Sequence, residues 1–113
     1  VKNPPLSAAE IRRFEARYRV LIGRMAGLES ISQGSVMAQP PRAWRWTRKV
    51  AGKTVSLGLS PEKAQKMKQA IANQRVMDRI IDEMREISQK LILQAPDSTP
   101  ISLRKNPPKT ALS

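Results

Sequence analysis

The sequence contains neither cysteine nor histidine. Disulfides, thiolate metal sites and imidazole acid–base chemistry are therefore excluded, and the composition suits a reducing compartment. Aromatics are scarce, with two Trp, one Tyr and one Phe among 113 residues. A thick globular core is not expected from so few; the apolar content is mainly Ile, Leu, Val, Ala and Met, which suits helix-on-helix packing. A chain of this length folds alone only if its elements bury one another efficiently, or if it dimerises. No apolar run approaches a membrane span, which needs about 20 residues, so no membrane association is expected. The first stretch, "VKNPPLSAAEIRRFEARYRV", is charged where a signal peptide would be apolar. With no initiator Met, Val1 is either a processed start or the beginning of a fragment. The expected location is cytoplasmic. There is no Gly-rich phosphate loop and no Ser–His pairing, so neither an enzyme nor a cofactor is expected.

Acidic residues are also missing from one long stretch: none lies between Ser30 and Pro61. What the chain has instead is positive charge, 21 Lys and Arg against 9 Asp and Glu, for a net +12. Such an excess makes a polyanion the natural partner, while saying nothing of fold.

The fold class expected is α+β: a helix, a three-stranded antiparallel meander and a long helix, with the two helices forming an antiparallel hairpin. Residues 1–6 read as a flexible arm, 7–94 as one domain and 95–113 as a flexible basic tail. "SAAE" at Ser7–Glu10 is a capping box that opens the first helix. Ile11, Phe14, Tyr18, Leu21, Met25 and Leu28 then recur in steps of three and four, and the helix should end between about Leu28 and Gly34. "SVMAQ", "AWRWTRKV" and "KTVSLGL" alternate as half-buried strands do. A turn centred on Ala51-Gly52 sets Trp46 opposite Leu57, Trp44 opposite Leu59 and Arg48 opposite Val55. Folding back about Pro41 sets Val36 opposite Trp46 and Ala38 opposite Trp44. All the large apolar groups then share one face, and a one-residue slip would scatter them. Ser60, Pro61 and Glu62 start the last helix, which nothing interrupts until Ala95-Pro96. Its seam is Ala70, Asn73, Met77, Ile80, Met84, Ile87 and Leu91, widened by Met67, Ile71 and Ile81. Antiparallel helices would place Leu28 near Met67, Ile11 near Met84, Arg17 near Asp78 and Arg13 near Asp82. Asp78, Asp82 and Glu86 lie one turn apart in a line, so they do not converge as a metal site requires.

If Trp44 and Trp46 cover the helices, Arg45, Thr47, Lys49, Thr54, Ser56 and Gly58 share the opposite face. That face is cationic and hydroxylic, a surface suited to a phosphate backbone or a major groove. Arg42, Arg48 and Lys53 would flank it, and the tail residues Arg104, Lys105 and Lys109 would add non-specific affinity. An ordinary solvated strand face also holds Arg, Lys and Thr, but it usually mixes charge signs. Base stacking on Trp44 or Trp46 is the competing use of the indoles.

Gly34 to Ile92 resembles a family of small bacterial proteins of unknown function, often found beside, or labelled as, transposases in mobile elements. The shared features are a Gly-Ser lead-in to a strand, "TRKVAGKTV" (Thr47–Val55), "SPE" (Ser60–Glu62), "AIANQR" (Ala70–Arg75) and "EISQKLI" (Glu86–Ile92). Many such proteins carry a cysteine-rich insert between the first two strands, where this chain has only "PPRA"; metal binding by that insert is not implied. The resemblance implies a genomic setting compatible with DNA binding, a transposase as a partner, and no mechanism.

The function expected is thus a non-enzymatic nucleic-acid-binding accessory protein, with duplex DNA ahead of RNA and a nucleoid-associated location. Arg42, Arg45, Thr47, Arg48, Lys49 and Lys53 are the candidate contacts. The rival is a helical adaptor whose Met-rich second helix (Met67, Met77, Met84) forms a homodimer or docks on another protein.

Overall fold

The computed structural model of the chain describes residues 4–41 and 43–97. Five elements follow one another: α1 (Ala8–Ala26), β1 (Ser35–Gln39), β2 (Ala43–Val50), β3 (Lys53–Leu59) and α2 (Pro61–Gln94). This is the helix, antiparallel meander and long helix expected. The described residues form two compact units. One holds 4–26 and 80–97, the other Gly27–Arg79, and α2 contributes to both.

In the first unit, α1 opens with the capping box. The Glu10 N–H donates to Ser7 Oγ at 3.1 Å, and the Ser7 N–H donates to Glu10 Oε1 at 2.9 Å. Those bonds satisfy two of the donors that a helix start leaves orphaned. The Ser7 backbone N–H is the main reason the Glu10 carboxyl sits below the usual carboxylate range. Ile11 and Leu21 of α1 and Ile80, Ile87 and Leu91 of α2 are buried. All five belong to the seams read from the spacing.

The helices run antiparallel, but not in the expected register. Arg17 pairs with Glu83, its Nε 2.7 Å from Oε2 and its Nη2 3.0 Å from Oε1. Asp78 instead accepts from Gln74, and Asp82 from Arg85, both on its own helix. The partner of Arg17 is therefore five residues further along α2 than Asp78, a slide of about 7.5 Å. The Leu6 N–H donates to Gln94 O at 3.0 Å, the same offset, and Lys90 Nζ, one turn further along α2 than that offset gives, lies 5.2 Å from the Phe14 ring centre. The first of these also ties down Leu6, which the sequence placed in a flexible arm. α1 stops at Ala26, and the connector after it runs beside the first half of α2. There Asn73 Nδ2 donates to Ser30 O at 2.8 Å and the Ser32 N–H to Ala70 O at 3.0 Å. Asn73, polar on an apolar seam, thus serves to hold this connector.

In the second unit the strand order is β1-β2-β3. The pairs Val36↔Trp46, Ala38↔Trp44, Trp44↔Leu59, Trp46↔Leu57 and Arg48↔Val55 are those set by the hydrophobic alternation. Val50↔Lys53 closes a two-residue hairpin with φ of 51° at Ala51 and 81° at Gly52. Positive φ at both positions is the type I′ pattern that matches the twist of paired strands. At the other end Gly34 (φ 94°) packs so closely on β2 that a Cβ there would lie 2.2 Å from Thr47 O. Ser60 caps α2, its Oγ accepting from the Lys63 N–H at 3.2 Å. The buried core of this unit is small: Ala64, Ala70 and Ile71.

Candidate nucleic-acid interface

The face of the sheet away from the tryptophans is built by strand alternation. β2 brings Arg45, Thr47 and Lys49 to it. β3 sets Gly58, Ser56 and Thr54 opposite them, and β1 adds Met37 opposite Arg45 and Ser35 opposite Thr47. Arg45, Lys49, Thr54, Ser56 and Gly58 are exposed and Thr47 is half-buried. The six residues expected together on this face are together.

Their side chains are partly organised already. Arg45 Nε donates to Gln39 Oε1 at 3.0 Å, a diagonal cross-strand contact with a neutral acceptor. This steers the guanidinium without neutralising it and leaves its remaining N–H groups to a ligand. The Thr47 and Ser56 hydroxyls lie 3.0 Å apart, so they form one linked hydroxyl pair between the two cations. Arg45 and Lys49, four residues apart on one strand, are separated by about 13 Å. Neither has a carboxylate partner among the described residues.

The flanking residues divide. Arg42 lies outside the described residues, as do Arg104, Lys105 and Lys109. Lys53 is exposed at the hairpin end, on the strand face of Val55 and Leu57 rather than that of Thr54. Arg48 belongs to the tryptophan face. Its Cζ lies 4.0 Å from the Trp46 ring centre, and its Nη1 is buried with no hydrogen-bond partner. Arg48 therefore serves the indole and not the wet face. The alternation already carried this signal, since Arg48 shares parity with Trp44 and Trp46.

Both indoles carry a cation. Lys68 Nζ, from α2, lies 4.2 Å from the Trp44 ring centre. The Trp46 Nε1–H donates to Gln33 O at 2.8 Å, which fixes that ring in place. With one ring face stacked and the N–H committed, Trp46 is held as a structural group. Spacing along the sequence could not have shown the Lys68 contact, which depends on how α2 meets the sheet within this unit. Reading the alternation did miss Met37, which stands 64% exposed on the cationic face.

Elsewhere the chemistry is sparse. An open groove of about 500 Å³ is lined by Ile31, Ser32, Gln33, Trp46, Gln74 and Asp78. The indole N–H there is bonded to Gln33 O, and Gln74 Nε2 is bonded to Asp78 at 2.8 Å. Among the described residues no group of three Asp or Glu side chains is placed to hold a metal ion. No described helix is long and apolar enough to cross a membrane.

No protein-family model, no curated protein and no solved structure matches the chain. What this face does must therefore follow from its own residues.

Proposed function

We propose that the chain is a non-enzymatic nucleic-acid-binding accessory protein that meets duplex DNA with the basic face of its sheet. The observation that carries this reading is the grouping of Arg45, Thr47, Lys49, Thr54 and Ser56 on one face of a sheet that has no acidic residue in any strand. Arg45 and Lys49 would take phosphates and the hydroxyls would donate to phosphate oxygens, contacts that position a duplex without reading its sequence. The genomic setting implied by the resemblance over Gly34–Ile92, with a transposase as partner, agrees with this role.

The test is fluorescence anisotropy with a labelled random duplex across a salt series. A log–log slope of about −4 to −6 is expected, at about 0.9 per phosphate neutralised. Arg45→Ala with Lys49→Ala should make that slope shallower by about 1.8. An unchanged slope in the double variant sinks the sheet-face reading.

One observation favours a second reading. Ile92 and Leu93, at the end of α2, are 66% and 78% exposed. An adaptor that pairs with a second copy would bury them. Sedimentation separates the two readings: a stable dimer that Ile92→Ser with Leu93→Ser dissolves supports the adaptor, and a monomer removes it.

A further inference from the structure

The sheet is not the only cationic surface. α1 carries five arginines, and its outward side is exposed along its whole length: Ala9, Arg12, Arg13, Ala16, Arg19, Val20, Gly23 and Arg24. At about 100° per residue, Arg12 and Arg19 fall on one row, and Arg13 and Arg24 on a second row about 120° around the helix. Between the rows lie Ala9, Ala16, Val20 and Gly23. Of the helix's carboxylates, Glu10 is held in the cap with Ser7, and Glu15 is half-buried at the edge of this side, one turn before Arg19. Arg17, the remaining arginine, is turned to Glu83.

Packing within the protein does not explain this arrangement. A side chain at Gly23 would meet nothing within 4 Å, yet glycine weakens a helix interior. Small residues flanked by Arg12 on one side and by Arg13 and Arg24 on the other suit a ligand that the helix backbone approaches closely, with negative charge on both sides. The major groove of a duplex is about 12 Å wide and admits a helix of about 10–12 Å diameter, its walls lined by the phosphates of the two strands.

We propose that α1 is a second nucleic-acid surface, which lies along the major groove of duplex DNA with Arg12 toward one phosphate strand and Arg13 and Arg24 toward the other. Ala16 and Gly23 let the helix settle into the groove, and Val20 meets base edges such as the thymine methyl. This inference rests on the nucleic-acid reading but not on the sheet face, and the two fail separately.

The experiment compares the full chain with two variants on one labelled 20-base-pair duplex across a salt series. Circular dichroism confirms that each variant is folded. Arg12→Ala, Arg13→Ala and Arg24→Ala together remove three phosphate contacts. The slope should become shallower by about 2.7 and the affinity at 0.1 M salt should fall about tenfold or more. Ala16→Gln, which changes no charge on an exposed helical site, should weaken duplex binding while leaving the slope within about 0.5 of the parent. A triple variant with the parent slope overturns the proposal, whatever the sheet variant does. An unaffected Ala16→Gln affinity overturns the groove placement. If the parent binds no duplex at low salt, both surfaces fall; if it binds vesicles of anionic lipid through the same arginines instead, the duplex is the wrong polyanion and the proposal falls with it.

Discussion

Replacing Gly34 by alanine should be among the most damaging single changes in the sheet unit. The residue has a φ of 94°, and a Cβ there would stand 2.2 Å from Thr47 O and 3.0 Å from both Arg48 Cβ and Trp46 Nε1. Two costs add. An L side chain at positive φ costs about 1–2 kcal/mol. The near atom at 2.2 Å is a backbone carbonyl of β2, so the connector must retreat from the strand. That retreat breaks the Trp46 Nε1 bond to Gln33 O, worth about 1 kcal/mol and more if the indole N–H is left unpaired. The sum is about 3 kcal/mol, a large share of the roughly 5–15 kcal/mol that holds a domain together. Trp44 and Trp46 both lie within Gly27–Arg79, so urea unfolding followed by tryptophan fluorescence reports this unit directly. Gly23→Ala is the matched control, with open space around the new methyl. It should stabilise α1 by about 1 kcal/mol, read from the helical signal. A Gly34→Ala loss below about 1 kcal/mol would refute the close-packing argument.

Two further outcomes follow from the same geometry. Arg48→Ala should destabilise the sheet unit by about 1–2 kcal/mol through loss of the stack on Trp46. Arg48→Met should cost less, since it keeps a long side chain and removes the buried unpaired nitrogen; neither should change the salt slope of duplex binding, and a shallower slope would put Arg48 back on the binding face. In the helical unit, the Arg17 guanidinium donates to Glu83 and holds that carboxyl below the usual range. A lowered folded-state value means the pair stabilises above the unfolded carboxylate value of about 4.3 and loses that contribution as pH falls through the folded one. The melting temperatures of the parent and Arg17→Ala should therefore differ at neutral pH and converge on acidification; a difference that persists in acid would mean Arg17 acts through packing alone.

The sheet was legible in the sequence because period-two alternation leaves only one register that gathers Trp44, Trp46, Val55, Leu57 and Leu59. The cationic face followed from the same parity. Both helix starts were legible from their caps, Ser7 with Glu10 and Ser60 with Pro61. The helix pairing was less so. A seam of residues at steps of three and four fixes which side of a helix is buried, but sliding by five residues leaves apolar side chains facing apolar side chains. Spacing alone does not fix the slide, and nothing in "GLESISQG" announces that Ser30 and Ser32 bond to Asn73 and Ala70. Charge was a poor guide for the same reason. Asp78, Asp82, Glu83 and Glu86 lie close enough together along α2 that Arg17 finds a carboxylate in more than one register.

The net charge of +12 is therefore not one property but two. Some cations are spent inside the fold: Arg48 on Trp46, Lys68 on Trp44, Lys90 beside Phe14 and Arg17 on Glu83. A chain with so few aromatics places a cation near three of its four rings, and these contacts enlarge cores that are themselves thin. Other cations have no such employment. Arg45 and Lys49 on the sheet, and Arg12, Arg13 and Arg24 on α1, are exposed and pair with no carboxylate in a described salt bridge. Exposed like charges cost a folded protein through self-repulsion, so groups of this kind are maintained against stability unless something outside the protein uses them. On this division, neutralising Arg48 or Lys68 should weaken folding, whereas neutralising Arg45, Lys49, Arg12, Arg13 or Arg24 should leave folding intact or improve it. The proposed binding surfaces are the second set, and their cost in the unbound protein is the physical reason to look for a polyanion that removes it.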